Sequence, residues 1–306
     1  MQDKVWIVDE PYGGPGYAFD SEDMARWFQE CRAVYAMTQG SQPLDGGHLF
    51  MNPEERDEVL KKEPDLARFI HQVYGSYEFI NKVKRYCFWL VDASPVDIKH
   101  SRILYERVSK VKEFRLASKR GATQKAAERP SLFAEIRQPT TNYLLIPRVS
   151  SSRRQYVPMG YVSPDVIVTD SAFALPYATP YHFGILTSRV HMAWIRVVAG
   201  RLRNDYRYSN TLVYNNFVWP KSPPWHVQRI ERAAQKILDV RASHSDSSFA
   251  DMYDEVSMPQ DLRRAHQEND SAVLEVYGLP ENISDLDIVM HMFKLYDDAV
   301  KNIAGK

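Results

Sequence analysis

The feature that most restricts the fold is a change of hydrophobic period between residues 132 and 177. Apolar residues there come in short runs, and each run ends near Pro, Asn, Ser or Asp, which is typical of β-strands separated by turns. Five strands are predicted, with the sequences LFAEIRQP, NYLLIPRVS, QYVPMGYV, VIVTD and AFALPYA. Short strands joined by so little chain favour a mixed, mostly antiparallel sheet.

Helical patterns flank this tract on both sides. Upstream, Ser21 and Asn52 are candidate N-caps, RYCFWLVD from Arg85 is a predicted strand, and a long helix is predicted from residues 92–95 to about Ser118. Downstream, helices are predicted over residues 182–202, 225–243, 258–277 and 284–303. The predicted fold class is α+β: a mixed, mostly antiparallel sheet with packed helices, followed by a small all-α domain.

A length of 306 residues predicts about two domains, each with a core of its own. The Pro-rich breaker KSPPW, which starts at Lys221, marks the boundary. We therefore expect a lead-in or linker helix over 1–39, a sheet-containing domain over 40–221 and a helical domain over 222–306.

The net charge of zero conceals a strong asymmetry. Residues 99–240 carry a net charge of +14, whereas the segments before and after them carry −7 each. Such a positive middle segment predicts an anionic partner.

Composition and cysteine usage exclude other classes. The chain is 44% hydrophobic and 25% charged, as globular proteins are, so disorder is not predicted. Cys31 and Cys87 form no CxxC pair, and the sequence has no long apolar run and no signal-peptide pattern at its start. We expect a cytoplasmic protein with no membrane partner.

No catalytic or metal-binding residue is predicted. The sequence contains no GxGxxG or Walker loop, and the one Asp-x-Lys triplet, at Asp97, falls in the first turn of a predicted helix. Ser222-Pro223-Pro224-Trp225 resembles the polar-Pro-Pro-aromatic turn of amino-methyltransferases, but no cofactor-binding strand precedes it. A stand-alone DNA amino-methyltransferase that uses this turn remains an alternative.

Cations are clustered in the positive middle segment. They include Lys110, Lys112 and Arg115 on the polar face of the long predicted helix. Hydroxyl and guanidinium groups are those that contact phosphate oxygens. The candidate phosphate-contacting residues are Lys119, Arg120, Lys125, Arg148, Ser151, Arg153 and Arg154.

A sharper pattern follows Gly200. If this segment is extended, Arg203, Asp205 and Arg207 share one face, and Leu202, Asn204, Tyr206 and Tyr208 share the other. Arginine makes bidentate contacts to guanine and a carboxylate accepts from the cytosine amine, so Arg203 and Asp205 could read one G·C pair. A salt bridge at the end of a strand is the alternative.

Several long strings resemble one known family in order along the chain. They include GSQPLDGGHLFMNPEERDEVL, YLLIPRVSSSRRQYVPMGY, YHFGILTSRVHMAWIRVVAGRL, DYRYSNTLVYNNFVWP and SMPQDLRRAH. They are similar to the carboxy-terminal half of MmeI-like (type IIL) single-chain restriction-modification enzymes, in which a nuclease and an adenine methyltransferase precede a target recognition domain and a helical tail.

The resemblance implies a function and a set of residues. It implies that the chain reads double-stranded DNA for an adenine methyltransferase and endonuclease whose catalytic domains lie upstream. S-adenosylmethionine and Mg would belong to those domains and no cofactor to this fragment. The implied base-reading residues are Arg203, Asp205, Arg207 and Ser171. A further alternative is a protein-interaction module that docks through the acidic helical tail.

Overall fold

The computed structural model describes residues 35–304. The helix predicted from Ser21 and most of the predicted lead-in lie outside the described residues. Fold class is as predicted: three small β-sheets, mostly antiparallel, pack with helices and are followed by a helical region.

The central sheet has the strand order β1 (Thr38–Gln39), β9 (Ala172–Pro176), β5 (Tyr143–Pro147) and β7 (Gly160–Val162), and all of its pairs are antiparallel. Strand β5 is buried on both faces. Leu144 and Ile146 point into the large core, whereas Tyr143 and Leu145 point to the opposite face and pack with Phe79. The alternation of side chains along a strand produces this division, and it makes YLLIP apolar throughout.

A second sheet has the order β2 (Phe50–Met51), β4 (Tyr86–Phe88), β3 (Ile70–Tyr74) and β8 (Ile167–Val168), in which β3 and β8 are parallel. Phe88 and Leu104 are fully buried in its core. The helices of this region are α1 (Pro53–Lys62), α2 (Ser76–Asn81), α3 (Pro95–His100), α4 (Arg102–Leu116) and α5 (Gly121–Lys125), with 3-10 turns at Pro64–Phe69 and Ala126–Glu128. The N-cap predicted at Asn52 is confirmed, because its side chain accepts a hydrogen bond from the Glu55 N–H at 2.8 Å.

The third sheet is a hairpin, β10 (Gly200–Leu202) and β11 (Asp205–Arg207), joined to β6 (Val149–Ser150). The remaining helices are α6 (Pro180–Leu186), α7 (Arg189–Val198), a π-helical turn (Asn210–Tyr214), α8 (Pro224–Ser243), α9 (Phe249–Met252), α10 (Gln260–Val276) and α11 (Asp285–Ala304). The three helices predicted after residue 224 are therefore confirmed with small shifts at their ends.

Three predicted elements are wrong in extent. LFAEIRQP is not a strand; only Glu135 bridges to Gln42. The two long predicted helices each break at a serine, because Ser101 and Ser188 accept hydrogen bonds from the backbone and cap a new helix instead. The chain after Ala199 is a strand, so the helix predicted to residue 202 ends early.

Arg115 is the clearest misassignment among the cations. Its side chain is fully buried and donates hydrogen bonds to backbone carbonyl oxygens. These belong to Pro43, Leu44, Ala126, Arg129 and Leu132. Arg115 therefore holds the turns around α4 together and is not available to an external anion.

The expectation of two separate cores is also wrong. One continuous apolar core contains Ile146 and Leu175 of the central sheet together with Ile230, Val273 and Ile288 of the last helices. Polar bonds cross the same boundary: the Asn269 side-chain amide donates to the Gly184 carbonyl at 2.8 Å. The helical region is therefore an integral support of the sheet.

Asp270 of α10 is a buried carboxyl at this boundary. Its Oδ1 accepts a hydrogen bond from the Arg189 N–H at 2.7 Å, and its Oδ2 accepts one from the Tyr156 hydroxyl at 2.6 Å. Burial raises the pKa of Asp270 to about 7, although both hydrogen bonds and the charge of Arg189 act in the opposite direction.

Because the pKa of Asp270 is raised, we expect the stability of the fold to depend on pH in a way that the stability of the variant Asp270→Asn does not. Between about pH 4 and pH 7 the folded protein holds a proton that the unfolded chain has lost, so this carboxyl reduces stability progressively as the pH rises through that window. Asparagine resembles the neutral acid and keeps an acceptor for Arg189. We expect the melting temperature of the variant to gain on that of the wild type as the pH rises.

Thermal melts of both proteins across that window check this expectation. Buried His191 and His266, whose pKa values desolvation lowers to about 3, reduce stability as the pH falls below about 6.5. They do so in both proteins, so the difference between the two melting temperatures isolates Asp270. A difference that is the same at every pH would contradict the assignment.

Candidate nucleic-acid interface

The hairpin of β10 and β11 carries exposed charged side chains, among them Arg201, Arg203 and Arg207. Leu202 pairs with Asp205, so Arg203 and Asn204 form a two-residue turn. Arg203 has φ +57°, a left-handed conformation that arginine seldom adopts. The predicted alternation of three residues on one strand is therefore wrong for Arg203, which lies at the tip, whereas Asp205 and Arg207 do share one face of β11.

Tyrosines anchor the hairpin from its other face. Tyr206 and Tyr208 are buried, whereas Leu202 and Asn204, which the sequence places on the same face, are exposed. The Arg201 guanidinium lies 4.0 Å from the centre of the Tyr206 ring, and the Tyr208 hydroxyl and His191 Nε2 are 3.0 Å apart. This anchoring fixes the strand while Arg203 and Arg207 remain exposed.

The carboxylate of Asp205 is oriented by the neighbouring loop. Its Oδ1 accepts a hydrogen bond from the Ser152 N–H at 3.3 Å. Within residues 35–304, the structure shows no ion pair between Asp205 and Arg203 or Arg207. The alternative of a local salt bridge therefore finds no support, and the second carboxylate oxygen has no described partner.

The loop over residues 151–154 lies beside the hairpin. Arg153 is exposed, and its guanidinium approaches the Asp254 carboxylate of the helical region to 3.5 Å. Arg154 is more enclosed: desolvation lowers its pKa, and the charges of Asp205 and Asp254 oppose that shift. Ser151, Arg153 and Arg154 thus lie next to Asp205, and Arg153 keeps most of its side chain in solvent.

Ser171 is joined to the hairpin through the backbone of Arg148. The Arg148 N–H donates to the Ser76 hydroxyl at 2.9 Å and to the Ser171 carbonyl at 3.2 Å, and the Arg148 carbonyl accepts from the Tyr208 N–H at 2.8 Å. Desolvation and, next, the charge of Arg207 lower the pKa of Arg148. The structure therefore brings Ser171, Arg148 and Arg207 together, with the charge of Asp170 opposing the effect of Arg207 on Arg148.

Ser171 packs closely against Gly75 and Ser76. The Ser76 N–H donates to Ser171 Oγ at 3.2 Å. A Cβ atom at Gly75 would lie 2.1 Å from that oxygen, so a larger residue there would displace the Ser171 hydroxyl. Sequence reasoning missed Gly75 and Ser76, because a Gly-Ser pair before a helix is an ordinary turn signal.

The other predicted phosphate contacts lie on a different element. Lys119, Arg120 and Lys125 are exposed at the junction of α4 and α5 and within α5. In the part of the chain that the structure describes, no recorded contact joins them to the hairpin. They form a second, separate group of cations.

The features considered for catalysis have structural roles. Ser222 Oγ and the Tyr181 hydroxyl are 2.7 Å apart, and Pro224 begins α8, so the SPPW turn is a helix start. Asp97 caps α3, and hydrogen bonds from Ser94 lower its pKa. Over the described range, no cluster of three or more His, Cys, Asp or Glu side chains could hold a metal ion, and no helix is long and apolar enough to cross a membrane.

Comparisons with known proteins agree on one family. Residues 27–221 match the target recognition domain of MmeI, and residues 222–304 match its C-terminal domain. DNA methyltransferase A of Bacillus subtilis (strain 168) is 37% identical over 260 residues, which are 85% of this chain and 29% of that protein. A solved structure of the type IIL restriction-modification enzyme MmeI in complex with DNA matches with a TM-score of 0.86 and 37% identity, over 88% of this chain and 36% of that one. The chain thus spans about a third of the length of either relative.

Proposed function

The chain belongs to the MmeI family, because the target recognition and C-terminal domains of that family account for nearly all of it, and from this we propose that it reads double-stranded DNA for a type II restriction-modification enzyme. Its solved relative is described in complex with DNA. The catalytic steps would then belong to methyltransferase and nuclease domains that lie upstream in a parent protein and that use S-adenosylmethionine and Mg. The chain itself would bind no cofactor and would act in the cytoplasm.

The proposal depends mainly on the hairpin formed by β10 and β11. Buried tyrosines hold it in place, with Arg203 exposed at its tip, Arg207 exposed on β11 and Asp205 half-buried between them. Two guanidinium groups and a carboxylate on one hairpin offer donors for guanine and an acceptor for the cytosine amine. Rigid support of this kind is what a site needs to discriminate between bases.

We assign the roles as follows. Arg203, Asp205, Arg207 and Ser171 contact base edges. Phosphate contacts would come from two groups: Arg148, Ser151, Arg153 and Arg154 beside the hairpin, and Lys119, Arg120 and Lys125 on the other element. The DNA-reading domain would cover 40–221 and the supporting helical domain 222–306.

Salt-dependent binding of the full chain to random-sequence duplex DNA tests the proposal. Each phosphate neutralised contributes a slope of about −0.9 to log K against log salt. Replacing Lys119, Arg120 and Arg153 by glutamine should therefore make the slope shallower by about 2.7. Lys61→Gln with Lys62→Gln, two exposed lysines of α1, is the matched control and should leave the slope unchanged.

Two results would favour the alternatives. A slope near zero for the wild-type chain would favour a protein-interaction module that docks through its acidic tail. Transfer of a labelled methyl group to DNA by the purified chain would favour a stand-alone methyltransferase that uses the SPPW turn.

A further inference from the structure

Helices α8 and α10 enclose a groove of about 660 Å³ on the helical region. Its lining is polar and carries four cations against two carboxylates, Glu268 and Glu281, and its apolar side chains are two alanines. The lining consists of Arg229, Arg232, Ala233, Lys236, Arg264, Gln267, Glu268, Ser271, Ala272 and Glu281.

The cations of the two helices are concentrated in this groove, although the surrounding sequence is acidic. Residues 241–306 contain six basic and thirteen acidic side chains. Of the six basic residues on α8 and α10, four line the groove. The other two are occupied elsewhere: Arg241 is buried with its guanidinium 4.1 Å from the centre of the Phe249 ring, and Arg263 donates to the Gln155 side chain at 3.1 Å.

Two of the four groove cations form an ion pair with a described residue, and the other two do not. Lys236 pairs with Glu268 at 2.5 Å, and Arg229 pairs with Glu275. Arg232 and Arg264 are exposed, and no carboxylate of residues 35–304 lies within ion-pair distance of either. Arg232 Nε donates one hydrogen bond to the Gln228 carbonyl of its own helix at 3.3 Å, so its other N–H groups and the Arg264 guanidinium are the donors that the groove offers to an external anion.

The geometry suits a phosphate backbone. Arg229, Arg232 and Lys236 lie at spacings of three and four residues on one helix face and span about 10 Å, close to the rise of three base pairs. Arginine, serine and glutamine side chains commonly contact phosphate oxygens. Of the ten residues that line the groove, none is a large apolar or aromatic residue of the kind that anchors many protein interfaces.

We propose that the groove between α8 and α10 binds the sugar-phosphate backbone of duplex DNA outside the sequence that the hairpin reads. This inference rests on the proposed function, because it requires that the chain binds DNA. The groove would add affinity without adding sequence preference.

The test is the variant Arg232→Gln with Arg264→Gln in the full chain. Both side chains are exposed, so the fold should be unaffected. Loss of two phosphate contacts should make the salt slope for random-sequence duplex DNA shallower by about 1.8 and leave the preferred sequence unchanged. Lys61→Gln with Lys62→Gln removes the same charge from α1 and should behave as the wild type.

The outcomes separate this inference from the proposed function. If the wild type binds with a steep slope and the double variant keeps that slope, the groove proposal is overturned while the proposed function stands. If the wild type shows no salt-dependent binding, the proposed function is contradicted, and the groove proposal, which rests on it, is overturned with it. If the variant keeps the slope and instead loses binding to the purified upstream part of the parent enzyme, the groove is a protein-docking site, which also overturns the proposal.

Discussion

A chain that ends at residue 221 is expected to lose the cooperative unfolding transition of the full chain. Ile230, Ile237, Val273 and Ile288 are fully buried in the core that also holds Leu144 of the central sheet. Truncation would expose the large apolar side chains of the sheet region that these four residues cover, and each such exposure costs about 1.5–3 kcal/mol. A few such losses reach the total stability of a typical domain, about 5–15 kcal/mol.

Polar groups add to this loss. Asp285 accepts hydrogen bonds from Arg189 at 2.8 Å and from Arg196 at 2.6 Å, and the Tyr277 hydroxyl donates to the Val218 carbonyl at 2.7 Å. Truncation removes all of these partners at once. We therefore expect that the sheet region does not fold stably without the helical region.

Thermal denaturation followed by circular dichroism checks the truncation. The full chain carrying Val256→Ser is the control, because Val256 is 93% exposed and should tolerate the change. A chain of residues 1–221 that melts cooperatively near the temperature of the full chain would contradict the shared core.

The parts of the fold that sequence alone predicts are those with a local cause. The N-cap at Asn52 is predicted by its residue type. The three long helices after residue 224 are predicted by a hydrophobic period of 3.6 residues, and β5 is predicted by a short apolar run. Sequence alone does not predict the hairpin turn, because Arg203-Asn204 lacks the glycine that two-residue turns usually contain. The turn is set by strand pairing, which begins with Gly200 opposite Arg207.

Long-range contacts explain the remaining errors. Arg115 follows a polar pattern along α4, yet five carbonyl oxygens from distant turns surround its side chain, and no local signal shows that. The Pro-rich segment before α8 does end one element and begin a helix. It does not separate two hydrophobic cores, because the faces of the helices after it pack into the same core as the central sheet.

Exchange of the hairpin charges, Arg203→Glu with Asp205→Arg, is expected to change which base is preferred. Under the proposed function, we expect the wild-type order of arginine then aspartate to favour G over C at the position read, since each good contact is worth about 1–3 kcal/mol of discrimination. The exchange should reverse that preference by roughly tenfold or more. Because Asp205 also accepts a hydrogen bond from Ser152, overall affinity should fall as well.

Two further variants separate reading from support. Asp205→Asn keeps an acceptor for the Ser152 N–H and removes the charge, so it should weaken the preference for the read base with less loss of affinity. Arg102→Glu with Glu106→Arg exchanges an exposed ion pair on α4 and should change neither.

The most direct measurement is selection of duplexes from a random-sequence pool by the wild-type chain and by the Arg203→Glu, Asp205→Arg variant. We expect two sets of selected sequences that agree everywhere except at the position that the hairpin reads, where G in the wild-type set is replaced by C. Identical sets, or no preferred sequence for the wild type, would contradict it.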